Sequence, residues 1–338
     1  MNSGRLSEVG WRLEERRGAF WLVGLVGLLA TGVVARMVVG GVGGERWAWP
    51  ESETILELRG LRAATAVVVG AALAVAGVLL QALMRNPLAA PDLLGVSSGA
   101  SLAVVIASAA GVGTGFGGGM VWQAGPALIG AVAALALVYG LGQRRGVIDP
   151  VGLVLIGVIV GVLCGAGVLL VQHLRPDGTL GSARALIGAF SDETPWGMVV
   201  GVGLLVGLAL GGVSVMGTTL DAASLGDDEA ASVGVPVERL RLVLFGMAGV
   251  LVAGAVVLAG PVGFVGLIAP HLARLTVGAR HRVMMPAAAL IGAATLVWAD
   301  VAVKAINLGA GRMPIGIVTA VIGGPVLLWM LRGRGGQG

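Results

Sequence analysis

Ten stretches of this 338-residue chain are apolar over lengths close to a lipid-bilayer crossing, and that repetition constrains the fold more than any single motif. A helical span needs about 20 predominantly apolar residues. The candidate spans are 20–39, 62–83, 93–110, 120–141, 151–172, 196–216, 240–257, 264–277, 284–303 and 315–331. The eighth is short, so it is expected to be tilted, broken or partly re-entrant, which is tolerated only where protein covers the backbone. Hydrophobic residues make up 57% of the chain and charged ones 12%. A soluble domain carries about a quarter charged residues, so the apolar excess here has to face lipid. The expected fold is an all-α, polytopic membrane protein of about ten transmembrane helices, one domain over 1–338.

The charges report topology. Thirteen of the 22 basic residues fall on the side of the N-terminus, from Arg5, Arg12, Arg16 and Arg17 to Arg332 and Arg334. Six fall on the other side: Arg46, Arg59, Arg62, Arg175, Arg184 and Arg312. This asymmetry places both termini in the cytoplasm. Residues 1–19 then read as a cytoplasmic tail rather than a cleaved signal, and 332–338 as a second tail. The net charge of +4 does not indicate nucleic-acid binding, because the arginines are scattered between apolar runs and form no stripe. The single cysteine, Cys164, lies mid-span and reads as a small buried hydrophobe. Glycines four apart, at 157, 161 and 165 and again at 203, 207 and 211, mark faces where helices can pack closely or slide.

Several kinds of chemistry are excluded. A phosphate-binding P-loop needs a lysine after its glycines, and the one lysine, Lys304, stands between Val303 and Ala305. The chain therefore carries no standard ATP site. His173, His271 and His281 are far apart and lack zinc-site spacing, the methionines are dispersed, and no catalytic constellation is visible. No bound cofactor or metal is expected.

Charge inside a span is costly and points to function. Asp300 and Lys304, four apart near the outer end of the ninth span, lie on one helix face. They could neutralise each other, relay protons in a secondary transporter, or let Lys304 reach the outer surface. Two stretches are too polar for plain span ends: QALMRNPLAAPD from Gln81, where Pro87 disfavours helix at Asn86, and GPVGFVGLIAPH from Gly260. The inner loop 217–238 is expected to form a short helical hairpin, with Asp221 or Ser224 as caps, on which a soluble partner docks; an ordinary connecting loop is the alternative.

At these stretches the chain resembles the FecCD-type permeases of bacterial ABC importers, which take up ferric siderophores, haem and vitamin B12. The matching segments are 69–103 (VGAALAVAGVLLQALMRNPLAAPDLLGVSSGASLA), 225–235 (LGDDEAASVGV), 259–275 (AGPVGFVGLIAPHLARL) and 313–325 (MPIGIVTAVIGGP). The resemblance implies two permease subunits, identical or homologous, around one pathway, two cytoplasmic ATP-binding subunits and an external substrate-binding protein. ATP–Mg would bind those partner subunits only. Asn86, Pro87 and Leu88 match the family's cytoplasmic gate. Leu225, Gly226, Asp227, Asp228, Glu229, Ala230, Ala231 and Gly234 match the ATPase-coupling segment. Arg59, Arg62 and Lys304 match positions that dock the binding protein. Relatives often carry an acidic residue before Leu-Pro-Ile-Gly, where this chain has Arg312-Met313-Pro314. The implied function is an importer permease in the bacterial cytoplasmic membrane, first for ferric siderophore, with haem or cobalamin as the alternative. A proton-coupled transporter built on Asp300 and Lys304 is the competing class.

Overall fold

The computed structural model describes residues 3–40, 47–50, 52–112, 120–144, 147–175, 188–191, 194–306 and 313–334. Eleven α-helices occur among them: α1 Ser3–Val38, α2 Glu53–Met84, α3 Val96–Ala109, α4 Met120–Leu141, α5 Pro150–Leu174, α6 Trp196–Ala223, α7 Asp227–Ser232, α8 Val237–Ala259, α9 Val265–Val277, α10 His281–Ala305 and α11 Ile315–Arg334. A 3-10 turn over Pro91–Leu94 leads into α3. Two-residue strands β1 Gln143–Arg144 and β2 Val147–Ile148 pair antiparallel between α4 and α5, a feature not foreseen in the sequence.

Each of the ten apolar stretches becomes a helix. Seven are long and apolar enough to cross a membrane, and Val96–Ala109, Val265–Val277 and Ile315–Leu328 are shorter apolar helices. The ends differ from expectation. The helix of the first span begins at Ser3, so the expected tail is largely helical. Helix α6 runs on to Ala223, so the first residues of the inner loop are helix. Helix α9 has 13 residues, or about 20 Å at 1.5 Å per residue, against a hydrocarbon core of about 30 Å. The non-helical stretch 260–264 precedes it, and Phe264 at φ 69° turns the chain into the helix.

The interior is organised around α2, whose most apolar window is 83% buried. Helices α6, α8, α9 and α10 pack around it. Such close crossings need glycine. A Cβ on Gly70 would run into the carbonyl of Gly292 in α10, and one on Gly77 into the carbonyl of Gly266 in α9. Without side chains at these points, dispersion contact between backbones replaces the hydrophobic drive that lipid does not supply. The peripheral helices α1 and α5 bury only 17% of their windows. Of the two expected glycine ridges, the first packs: Gly157 lies against the Leu93 carbonyl. The second packs at Gly203, against Val68, and not beyond, since Gly207 and Gly211 have nothing within 4 Å.

Overpacking a tight site costs about 1–3 kcal/mol. Gly70→Leu is therefore expected to lower the denaturation midpoint in detergent clearly, while Gly207→Leu leaves it in place. Equal midpoints for the two variants would contradict this account of the α2 crossings.

Candidate functional site

The C-terminal end of α2 is closed by a sequence-encoded stop. Pro87 excludes helix at Asn86, and Arg85 takes the left-handed conformation at φ 45°, ψ 32° as C-cap. Arg85 N–H donates to Ala82 O at 3.4 Å and Asn86 N–H to Gln81 O at 3.2 Å. The Asn86 side chain then accepts from Leu88 N–H at 2.9 Å, which makes the segment a compact turn. Asn86 and Leu88 are exposed and Pro87 half-buried. Buried Gln81 braces this return from below: it donates to Ala89 O at 3.5 Å and accepts from Arg274 of α9 at 3.2 Å. Asp92, exposed in the 3-10 turn, accepts from the backbone N–H of Phe264.

Helix α7 holds most of the expected coupling residues. Asp227, Asp228 and Glu229 form its first turn, where acidic groups oppose the helix dipole. The Glu229 carboxylate folds back onto Gly226, in the space a Cβ there would take. The C-terminus is a Schellman closure: Val235 N–H donates to Ala230 O at 3.0 Å and Gly234 N–H to Ala231 O at 2.9 Å. Gly234 sits at φ 82°, a conformation that costs other residues strain. Ala230 is buried, and Leu225 (77%) and Val233 (68%) project into solvent. Asp221 does not cap a short helix. It accepts from His281 N–H at 3.0 Å and lies 2.6 Å from His281 Nδ1, and so closes the start of α10.

These elements also meet through charge. Asp227 pairs with Arg85 through one oxygen and with Arg241 of α8 through the other at 2.7 Å.

At the N-terminal end of α2 the arrangement departs from expectation. Arg59 and Arg62 are 6% and 4% exposed. Arg59 donates to the carbonyls of Met37, Gly40 and Ala48, and so ties α2 to the chain leaving α1. Arg62 grips Asp300, with Nε at 2.9 Å and Nη2 at 2.8 Å from Oδ1. Arg36 of α1 pairs with the other oxygen. The reason is geometric: Arg36 and Arg62 reach the α10 face that carries Asp300, so the carboxylate is taken by two guanidinium groups from other helices. The expectation of a local Asp300–Lys304 pair gives way to a three-helix clamp. Asp300 has no exposed surface, so a proton relay through it has no aqueous access. Lys304 is half-buried, near Gly40. Arg312 lies outside the described residues. Among the described residues no three His, Cys, Asp or Glu side chains gather as a metal site.

Four residues of these arrangements escaped sequence reasoning in their roles. Arg36, Arg85 and Arg241 registered only as charges, and Asp92 as part of a loop. The signal for Arg85 was its place directly before Asn86-Pro87. Nothing local marked the partners of Arg36 and Arg241.

Removing one member of a buried ion pair costs about 3–5 kcal/mol. Asp300→Asn should lower the unfolding midpoint strongly, and Asp300→Asn combined with Arg36→Met should recover part of the loss. A stability unchanged in the single variant would show that the clamp carries nothing.

The model of the FecCD transport family matches residues 21–333. The hemin transport system permease protein HmuU of Yersinia pestis is 35% identical over 287 residues, covering 82% of each chain. The vitamin B12 import system permease protein BtuC of Vibrio cholerae is 35% identical over 318 residues, 91% of this chain and 92% of that one. A solved structure described as an inward-facing conformation of a metal-chelate type ABC transporter superposes with TM-score 0.80 at 30% identity, over 93% of this chain and 99% of the other. With ten apolar helices already on this frame, the chain belongs to the FecCD transport family and is a permease subunit of the ABC importer type.

Proposed function

We propose that this permease moves a bulky metal chelate, a ferric siderophore in the first instance, through a pathway it forms with a second permease subunit, identical or homologous. The observation that carries the reading is α7. It is an exposed, doubly closed turn that presents Leu225 and Val233 to solvent beside the Asn86–Pro87–Leu88 turn. Apolar side chains left in water on a short rigid element fit a groove on a partner. That partner is one of two cytoplasmic ATP-binding subunits, which bring ATP–Mg and the phosphate chemistry this chain lacks. Leu225, Gly226, Asp227, Asp228, Glu229, Ala230, Ala231 and Gly234 form the coupling element, and Asn86, Pro87 and Leu88 the cytoplasmic gate it works.

The chain is a multi-pass protein of the bacterial cytoplasmic membrane with both termini inside, and 217–238 faces the ATPase. An external substrate-binding protein delivers the chelate. It docks around the outer end of α10 near Lys304, a surface that Arg59 and Arg62 shape from beneath. The relatives' names support haem or cobalamin as the second reading. The frame is shared, and selection rests largely with the binding protein.

Two outcomes test this reading. Gly234→Val puts a β-branched residue at φ 82°, a strain of about 1–3 kcal/mol that a six-residue helix cannot absorb. In proteoliposomes holding the complete transporter, ATP-driven uptake should fall at least tenfold with membrane insertion intact; normal uptake would remove α7 from the coupling role. Lys304→Glu should slow docking of the binding protein and flatten its salt dependence, as loss of a steering charge does. Unaltered association kinetics would move the docking surface elsewhere.

A further inference from the structure

One carboxylate on the inner face joins three elements that the chain keeps far apart. Asp227 opens α7, Arg85 is the C-cap of α2, and Arg241 lies near the start of α8. Each Asp227 oxygen takes one guanidinium nitrogen, from Arg85 and from Arg241. Arg241 belongs to the helix that follows α7 in sequence. Arg85 lies 142 residues away and borders the gate turn. Among the described residues, Asp227–Arg85 is the side-chain bond that takes α7 beyond its neighbours in the chain.

Little else holds α7 in place. It has six residues, and Ala230 is its one buried side chain. An element with so little packed surface can be displaced without disrupting the core. The turn beyond Arg85 is internally braced: Arg85 and Asn86 bond back to the last turn of α2, and Asn86 holds Leu88. A pull on the Arg85 side chain therefore moves Asn86–Pro87–Leu88 as one piece. Half-exposed ion pairs add little to folding stability. Such a pair can swivel while keeping contact, which apolar interdigitation does not allow. Arg241, the least exposed of the three side chains, keeps the carboxylate aimed as the other two shift.

We propose that Asp227 is a positioning residue that transmits displacement of α7 to the gate turn through Arg85. The proposal rests on reading α7 as the ATPase-docking element.

The test uses the complete transporter, permease with its ATPase subunits and binding protein, in proteoliposomes. The uptake probe is whichever of hemin, cyanocobalamin and a ferric trihydroxamate the unmodified complex takes up. The measured quantity is ATP hydrolysed per molecule imported. Asp227→Asn and Arg85→Gln should each raise that ratio about fivefold, and the double variant should be no worse than either single, because both remove one interaction. Arg85→Lys, which keeps the charge, should recover part of the coupling. Effects that multiply in the double variant, or ratios unchanged in the singles, overturn the proposal. Co-purification separates it from the reading beneath. If the ATPase leaves the complex in Asp227→Asn, Asp227 is a docking contact and the transmission role falls. If the ATPase stays bound when Leu225 and Val233 are replaced by Asp, α7 is not the docking element and the underlying reading falls.

Discussion

The close approach of α2 to α9 and α10 sets the position of nearly everything else in this molecule. Gly70 against Gly292 and Gly77 against Gly266 bring backbones together where any side chain would hold them apart. In lipid, where apolar surface gains nothing by being hidden from oil, such contact is the main source of helix association. Once α2 is fixed, so is the position of the charged residues at its two ends. The N-terminal end carries Arg59 and Arg62, and the C-terminal end carries Arg85 and the turn of Asn86, Pro87 and Leu88. One rod thus links the Asp300 clamp at one end to the Asn86–Leu88 turn at the other, through a middle that has no polar side chain to spare.

The two ends use charge in opposite ways. At the N-terminal end of α2 Asp300 is fully enclosed and held by Arg36 and Arg62. Desolvating charge is costly, and the attraction repays it only when geometry and hydrogen bonds are good; the clamp fixes register between α1, α2 and α10. At the C-terminal end the groups around Asp227 remain partly in water. Their attraction is weak and screened, so these contacts contribute little to holding the fold together. The same residue types give rigidity when buried and compliance when wet.

Much of the fold was legible because hydropathy is additive along the chain. All ten apolar stretches became helices, and α4 spans the residues expected of it, Met120–Leu141. The stop after α2 was legible too, because proline acts on its immediate neighbour. Contacts between distant residues were not. Asp300 offered Lys304 one turn away as a local partner, and the sequence gives no sign that Arg36, 264 positions earlier, arrives first. Arg59 and Arg62 looked like surface charges because they fell near a span boundary; the helix in fact begins at Glu53 and carries both into protein. Asp221 looked like a cap for the chain that follows it, and its true acceptor role is toward His281, 60 residues on. Gly234 was legible as part of a motif, but its need for φ 82° emerged only with the backbone.

The shortness of α9 has a bearing on how the subunit can exist at all. Its 13 residues are too few to cross the hydrocarbon core, and the chain reaches them through 260–264, where Val262 is buried and the residues around it are half-buried. Peptide groups outside a helix find no hydrogen-bond donors or acceptors among acyl chains, and each one left bare there costs several kcal/mol. Here the chain itself removes much of that penalty: Gly260 N–H donates to Val256 O, Gly263 O accepts from Val265 N–H, and Phe264 N–H donates to Asp92. Whatever backbone of 260–264 is still uncovered has to meet protein or water and not acyl chains, so the lipid-facing side of the subunit lies elsewhere.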